Sequence, residues 1–326
     1  MQRILDPAQI EAFAQRSIPR LRLADPASLF AKRAERLRGL REKHAIGEYL
    51  ALMASVCEAQ HAALAALTAP AADAAADQLA PARERMALAR EHGMPLLQAT
   101  AWPRDARWRA VLSGICRSIA ALRGFPPRVR TLCDRLAACD PGLLEQQADR
   151  ILSRGAGIDI EAAPFVMAAL QVYFVHLVSS VAAAEAGDLP AAQLPSARTD
   201  IPGLCPLCGS LPVASIVRAD AGYRYLHCGL CSTEWHLVRI RCSHCLATEG
   251  IRYHFLAGGS EAVRAESCAS CRMYRKILYQ EKDAAVEPLA DDLGSLALDL
   301  LMAAEGYQRA GGNPLLWQDP GAEGAH

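Results

Sequence analysis

The sequence lacks an excess of either charge, because 35 lysines and arginines are balanced by 35 aspartates and glutamates over 326 residues. Proteins that bind nucleic acid usually carry a basic surplus that neutralises phosphates. Even the cysteine-rich stretch 201–283 holds only ten basic residues against seven acidic ones. No nucleic-acid partner is therefore expected.

The first fifteen residues lack the uninterrupted apolar run, about seven residues or more, that a secretory signal needs. Polar side chains divide this stretch at Asp6, Gln9, Glu11 and Gln15. We therefore expect a cytoplasmic protein. In that reducing compartment the twelve cysteines are expected to be thiols or metal ligands rather than disulfides.

One stretch, 162–184, lacks charged residues and is long enough to cross a bilayer. It contains Pro164 and Gln171, however, and its flanks are the acids Glu161 and Glu185 rather than lysine or arginine. The pattern favours a helix buried in the middle of a helical bundle. No membrane span is expected.

The sequence also lacks the common catalytic motifs. It has no glycine-rich phosphate loop, no nucleophile elbow and no His-Glu-x-x-His motif. Nothing in the chain points to a reaction of its own. A binding or assembly role is therefore expected, and not an enzyme.

Residues 1–186 are rich in alanine and leucine, lack strand-like alternation and predict an all-α domain. Aspartate followed by proline at Asp6, Asp25 and Asp140 is typical of helix starts. Helical patterns cover 27–40, 46–68, 104–122 and 129–139. The following stretch, 187–204, has three prolines and no periodicity, which predicts a linker.

Eight of the twelve cysteines form four Cys-x-x-Cys pairs, and two such pairs supply the tetrahedral thiolate set that Zn²⁺ or iron prefers. The four pairs are Cys205 with Cys208, Cys228 with Cys231, Cys242 with Cys245, and Cys268 with Cys271. Two metal ions, each held by four cysteines, are therefore expected. Thiolate ligands do not distinguish iron from zinc, nor a structural ion from a redox-active one.

The stretches between the pairs have strand character and glycine-containing turns. Predicted strands cover 212–217, 223–227, 251–255 and 262–266. The stretch therefore contains two similar units. In each unit, one Cys-x-x-Cys pair, here called a knuckle, is followed by a strand, a turn, a second strand and the next knuckle. This pattern predicts a tandem rubredoxin-like or zinc-ribbon-like domain over 205–283. We expect sequential ligation, with the first two pairs on one ion. A crossed arrangement stays open, because 234–240 could extend one sheet across both units.

The remaining cysteines and the histidines among the knuckles are not expected to bind metal. Cys57, Cys116, Cys133 and Cys139 lie in helical patterns and are expected to be small core residues. With eight cysteines available, the histidines at 227, 236, 244 and 254 are expected not to be ligands.

An apolar stripe at helical spacing, which includes Leu293, Leu296, Leu300 and Leu301, predicts a C-terminal amphipathic helix over 284–310, followed by a flexible tail at 311–326. Asp291 and Asp292 lie off this stripe, so they are expected on a solvated acidic face. The expected fold class is α+β: a helical bundle, the tandem metal-binding domain and this helix.

Several motifs resemble the FdhE family of formate dehydrogenase accessory proteins. The closest resemblance lies in residues 205–214, 224–236, 241–245, 265–271 and 279–283. The opening Arg3-Ile4-Leu5 and the helix with Asp291-Asp292-Leu293 also look like the family. The resemblance extends over nearly the whole chain and is looser in the first half.

The resemblance implies a cytoplasmic accessory protein that binds the catalytic subunit of formate dehydrogenase and carries rubredoxin-like iron. The eight paired cysteines would then be the metal ligands. Asp291 and Asp292 would belong to a surface that contacts the partner. Two alternatives stay open: a zinc-ribbon module for nucleic acid or protein, and a redox chaperone that uses its Cys-x-x-Cys pairs.

Overall fold

The computed structural model describes residues 18–42, 44–68, 84–185, 203–220 and 222–317. The helix expected to begin at Asp6 lies outside these residues. So does the linker predicted at 187–204, except for its last two positions. The described residues form a helical half followed by a sheet, and this confirms the predicted α+β class.

The helical half buries alanine, leucine and aromatic side chains between its helices. Its described helices are α1 (Leu29–Leu40), α2 (Gly47–Thr68), α3 (84–91), α4 (Arg107–Ala121), α5 (Pro127–Ala137), α6 (Pro141–Ser153) and α7 (Ala163–Glu185). The Asp140 carboxylate caps α6 by accepting the backbone N–H of Gly142 at 2.8 Å and of Leu143 at 3.2 Å. The predicted start at Asp140 is therefore confirmed.

Two described helical stretches, Gly47–Thr68 and Ala163–Ala183, have the length and composition of a membrane span. In the second, 83% of the most apolar window is buried inside the protein, against 44% in the first. The Gln171 side chain within the second accepts the Gln60 amide at 3.0 Å and donates to the Gly229 carbonyl at 2.7 Å. Burial and internal hydrogen bonding of this kind are features of a helix in a protein core.

Seven strands of the second half and one short strand of the first half form a single eight-stranded sheet. The strands are β1 (Leu21–Arg22), β2 (Pro212–Val217), β3 (Arg224–Cys228), β4 (Glu234–His236), β5 (Ile251–His254), β6 (Val263–Cys268), β7 (Met273–Tyr279) and β8 (Gln308–Arg309). Their order in the sheet is β1-β4-β3-β2-β7-β6-β5, and β8 also pairs with β7. The four predicted strands correspond to β2, β3, β5 and β6. The prediction omitted β7 and β8, and it considered the stretch that forms β4 only as a possible extension of the sheet over 234–240.

The two ribbon units share this sheet through a parallel pairing of β2 with β7, in which Ser215 lies opposite Ile277. Within each unit the neighbouring strands are antiparallel. The continuous sheet that kept the crossed ligation open therefore exists, but β2 and β7 join the units and 234–240 does not.

The prediction that the first half contains no strand was wrong for β1. Leu21 and Arg22 pair antiparallel with Trp235 and Glu234, and Arg22 also bonds Asp220 at 2.9 Å. A two-residue strand has no period to detect in a sequence. It exists because the edge of β4 offers hydrogen-bond partners.

The C-terminal helix predicted over 284–310 is two helices, α8 (Pro288–Leu293) and α9 (Leu296–Ala304). Ser295 interrupts the helical path, and its hydroxyl donates to the Asp291 carbonyl at 2.6 Å. Because of the break, a different side of the second helix faces the core. Leu298 and Met302 are buried, whereas Leu300 and Leu301, which the stripe placed inside, are 73% and 51% exposed.

The tail predicted at 311–326 is packed in its described part, 311–317. Leu315 is fully buried, and its carbonyl accepts the Tyr49 hydroxyl from α2. The Asn313 amide donates to the Leu289 carbonyl at 2.9 Å and to the Asp292 carboxylate at 2.7 Å. These contacts explain why this part of the tail is ordered.

Candidate metal centres

The structure brings the eight paired cysteines into two groups of four, and within each group the sulfur atoms all lie within 4.8 Å of one another. The first group is Cys205, Cys208, Cys228 and Cys231, and the second is Cys242, Cys245, Cys268 and Cys271. Each group combines two consecutive Cys-x-x-Cys pairs. The sequential arrangement is confirmed, and the crossed one is not observed.

The sulfur spacing fits a metal centre. Sγ···Sγ distances are 3.4 Å between Cys208 and Cys228 and 3.7 Å between Cys245 and Cys268. Four thiolates at about 2.3 Å from a tetrahedral ion would lie about 3.8 Å apart. A disulfide requires about 2.05 Å. The groups therefore match the geometry of a four-thiolate ion site and contain no disulfide.

The backbone after each pair has the same turn. The residue following the second cysteine adopts a positive φ in all four knuckles: +73° at Gly209, +56° at Ser232, +67° at Leu246 and +59° at Arg272. The left-handed residue closes the turn: the N–H groups of Gly209, Leu246 and Arg272 each donate to the carbonyl of the first cysteine of their pair. Only the first knuckle uses glycine for it.

Backbone N–H groups in these turns point at sulfur. The N–H groups of Leu230 and Cys231 lie 3.3 and 3.4 Å from the Cys228 sulfur. In the second group, His244 and Cys245 donate in the same way to Cys242, both at 3.4 Å. Such donors stabilise thiolate over thiol, which is the form that binds a metal.

Burial opposes the negative charge of the thiolates unless a cation lies beside them. Burial raises the pKa of the Cys205 thiol well above its usual range, and hydrogen bonds with neighbouring thiols raise it further. For Cys208 burial acts in the same direction, but hydrogen bonds from Cys205 and Cys228 outweigh it and lower the pKa. The four thiols cannot all ionise together unless a cation compensates their charge. The donor set therefore fits a bound ion.

The two groups differ in their surroundings. All four cysteines of the first group are buried, whereas Cys245 of the second is exposed and Cys271 is partly exposed. The helical half contacts the first knuckle directly, because the Leu97 N–H donates to the Leu207 carbonyl at 2.7 Å and the Ala99 N–H to the Cys208 carbonyl at 2.9 Å. The first group lies where the two halves of the protein meet.

Asp291 and Asp292 are not on the surface, although the stripe predicted a solvated acidic face. Asp291 is 2% exposed and makes an ion pair with Arg36 of α1 at 2.6 Å. Asp292 is fully buried and pairs with Arg309 and, at 3.6 Å, with Lys276. Buried charges require partners, and the ion pairs of these two aspartates join α8 to α1 and to the sheet.

The four histidines among the knuckles lie outside both sulfur groups. His227 is buried, and its Nδ1 lies 3.1 Å from the Glu234 carboxylate, while His254 Nε2 lies 2.8 Å from the Ser267 hydroxyl. These two histidines therefore have hydrogen-bonding partners within the sheet.

No sequence pattern indicates the residues that support the first group from the helical half. Gln171, Leu97 and Ala99 are separated from it by 34 positions or more. Only packing brings them there.

Comparison with known families matches three consecutive parts of the chain. Residues 18–189 match "FdhE, N-terminal", residues 204–239 match "FdhE, central domain" and residues 240–316 match "FdhE, C-terminal domain". The boundary between the last two falls between the two cysteine groups.

Similar proteins cover nearly the full length. A "Protein FdhE homolog" of Serratia proteamaculans (strain 568) is 38% identical over 97% of this chain and 98% of its own length. One from Yersinia pestis (strain Pestoides F) is 39% identical over 92% of each chain. The crystal structure of the FdhE protein from Pseudomonas aeruginosa superposes with a TM-score of 0.76 at 37% identity, over 93% of this chain and 100% of that one.

Proposed function

The chain belongs to the FdhE family, and we propose that it is a cytoplasmic accessory protein that binds the catalytic subunit of formate dehydrogenase while that enzyme is assembled. The observation that carries the proposal is the presence of both four-cysteine groups within a fold shared along the chain with an FdhE protein. We propose no catalytic residues. The chain contributes binding and metal chemistry instead.

We propose that each group holds one metal ion through its four thiolates. The family resemblance favours iron, and zinc fits the same sulfur geometry. Iron bound by four thiolates can change oxidation state, whereas zinc would only hold the knuckles together. Every proposed ligand is a cysteine, because each group already contains four cysteines and none of the nearby histidines lies in either group.

We propose that Asp291 and Asp292 do not contact the partner, because both side chains are buried. Both carboxylates already neutralise cations inside the protein, and exposing them would remove one of the carboxylate partners of Arg36 and of Lys276. A change at either position is expected to affect folding before it affects recognition.

Anaerobic co-purification tests the proposal. The tagged chain serves as bait for the formate dehydrogenase catalytic subunit, and metal is measured in the same eluate. We expect the subunit to be retained together with about two ions per chain. A chain that carries both ions and does not retain the subunit would refute the accessory role.

Three substitutions sharpen the experiment. Cys228→Ser changes the first group and Cys245→Ser the second, while Cys139→Ser is the matched control outside both groups. Loss of the subunit with the first two variants and not the control would tie binding to the metal centres. Retention by all three would separate recognition from metal. Binding of nucleic acid instead, or holdase activity on metal loss, would favour one of the two alternatives.

A further inference from the structure

We propose that the two centres have different tasks: the first fastens the helical half to the sheet and retains its ion, whereas the second exchanges its ion at the surface. The proposal rests on the proposed function only in requiring that both cysteine groups bind metal. It assigns metal transfer to one named group and excludes it from the other.

The first centre is held from the helical half as well as from the sheet. Gln171, fully buried in α7, donates to the Gly229 carbonyl between Cys228 and Cys231, and the Gln60 amide of α2 holds Gln171 in place. Opening this knuckle would break a chain of buried hydrogen bonds that reaches two helices.

Arg33 of α1 makes a second buried connection. It is fully buried, donates to the Ser232 hydroxyl at 3.3 Å, and pairs with Glu287 at 2.9 Å. Glu287 in turn caps α8 through the backbone N–H groups of Leu289 and Ala290. The same arginine therefore ties the second knuckle to the helical half and to the C-terminal segment. An ion in the first centre can leave only if these contacts separate.

The second centre has a different environment. Among the described contacts, its knuckles bond only to the sheet and to the C-terminal segment. Arg275 of β7 donates to the Ser243 hydroxyl at 2.9 Å, and Arg272 donates to the Glu305 carbonyl at 2.7 Å. The segments 248–250 and 269–270 beside the cysteines are exposed. Local opening here leaves the packing between the halves intact.

Cys245 is the ligand through which exchange would begin, because it is the exposed cysteine of the eight. With an ion bound, an incoming thiolate or chelator would replace the Cys245 sulfur as a ligand first, and the other three cysteines would be replaced afterwards. The freed thiolates take up protons from water or stay ionised. No electron is transferred, so the exchange needs no oxidant or reductant.

Chelator competition on the full-length protein loaded with zinc tests the assignment. Excess chromogenic chelator should remove one ion per chain at least about tenfold faster than the other, because a local opening costs less free energy than separating packed halves. Release of both ions in a single phase would overturn the proposal. A protein that holds no ions would refute the metal part of the proposed function instead, so the two failures are distinguishable.

Hydrogen exchange identifies which ion leaves first and does not depend on a variant that folds. After removal of one equivalent, amides in 242–247 and 268–272 should exchange faster. The amides of Leu97 and Ala99, which bond the first knuckle, should stay protected. Loss of protection at Leu97 and Ala99 with the first ion would contradict the proposal.

Cys245→Ser provides the matching variant, because the exposed position tolerates the change without disturbing a core. We expect it to lose the fast phase and keep the slow one. A variant that keeps the fast phase would show that the exchanging ion lies in the first group, which overturns the assignment.

Discussion

Replacing Asp292 with asparagine should destabilise the protein without acting on a partner surface. Asp292 is fully buried and faces two cations, Lys276 and Arg309, with Asn313 donating to one of its oxygens at 2.7 Å. Asparagine keeps the shape and removes the charge. The buried cluster then carries an uncompensated positive charge.

The structure sets the expected size of the effect. Removing one partner of a buried ion pair costs about 3–5 kcal/mol. Lys276 would keep a second carboxylate, Asp299, at 2.7 Å, and the Arg309 side chain is 23% exposed, so water screens part of its charge. We therefore expect the lower end, about 3 kcal/mol. With a urea slope of roughly 3 kcal/mol per molar, the unfolding midpoint falls by about 1 M.

The pH dependence follows from the pKa of Asp292. Burial alone would raise it, but Arg309 and Lys276 outweigh burial and hold the pKa below its usual range. A lowered pKa contributes stability that is present above about pH 4 and is lost as pH falls through the folded-state pKa. The difference between wild type and variant should therefore stay constant between about pH 6 and 8.

Asp291→Asn is the matched control on the same helix. Burial raises the pKa of Asp291 despite Arg36, so its charge is less favourable, and Arg36 keeps Asp283 at 2.7 Å. We expect a smaller loss of stability than for Asp292→Asn. Urea unfolding of the metal-loaded proteins measures both. An Asp292→Asn variant of wild-type stability that binds a partner less well would refute the buried-cluster explanation and restore the surface role.

Two further predictions concern cysteines and their turns. Gly209→Ala places a side chain at φ +73° and 3.4 Å from Pro95, so urea unfolding should show that the free energy of unfolding falls by about 1–2 kcal/mol. Leu246→Gly, at φ +67°, should stay within about 1 kcal/mol of wild type. An equal loss of stability in both variants would contradict the turn argument. Burial raises the pKa of Cys57 to about 12, so iodoacetamide should label the partly exposed Cys139 and leave Cys57 unmodified in the native protein. Mass spectrometry of peptides shows which cysteine is labelled. Labelling of Cys57 would refute its burial.

The features that local sequence determines were predictable. The spacing of four Cys-x-x-Cys pairs indicated two groups of four cysteines, and the sequential grouping is confirmed. The strands between Cys208 and Cys228 followed from β-branched residues and a turn. The Asp140 cap needs only neighbouring residues, and it was also predicted correctly.

The features that depend on distant contacts were not predictable in the same way. The pairing of β2 with β7 joins residues about sixty positions apart, and no local period specifies it. The apolar stripe after 284 continues through Ser295, so the sequence did not indicate the break between α8 and α9. Asp292 lay off that stripe and was expected in water, because its buried partner Lys276 belongs to a strand, β7, that the sequence did not reveal.

Counting the ions on the intact chain tests the central claim most directly. Native mass spectrometry of protein purified without oxygen should show two metal ions per chain, and one ion in either Cys228→Ser or Cys245→Ser. The mass of the ions identifies iron or zinc at the same time. A wild-type chain without metal, whose eight cysteines are free thiols or disulfides, would contradict the account.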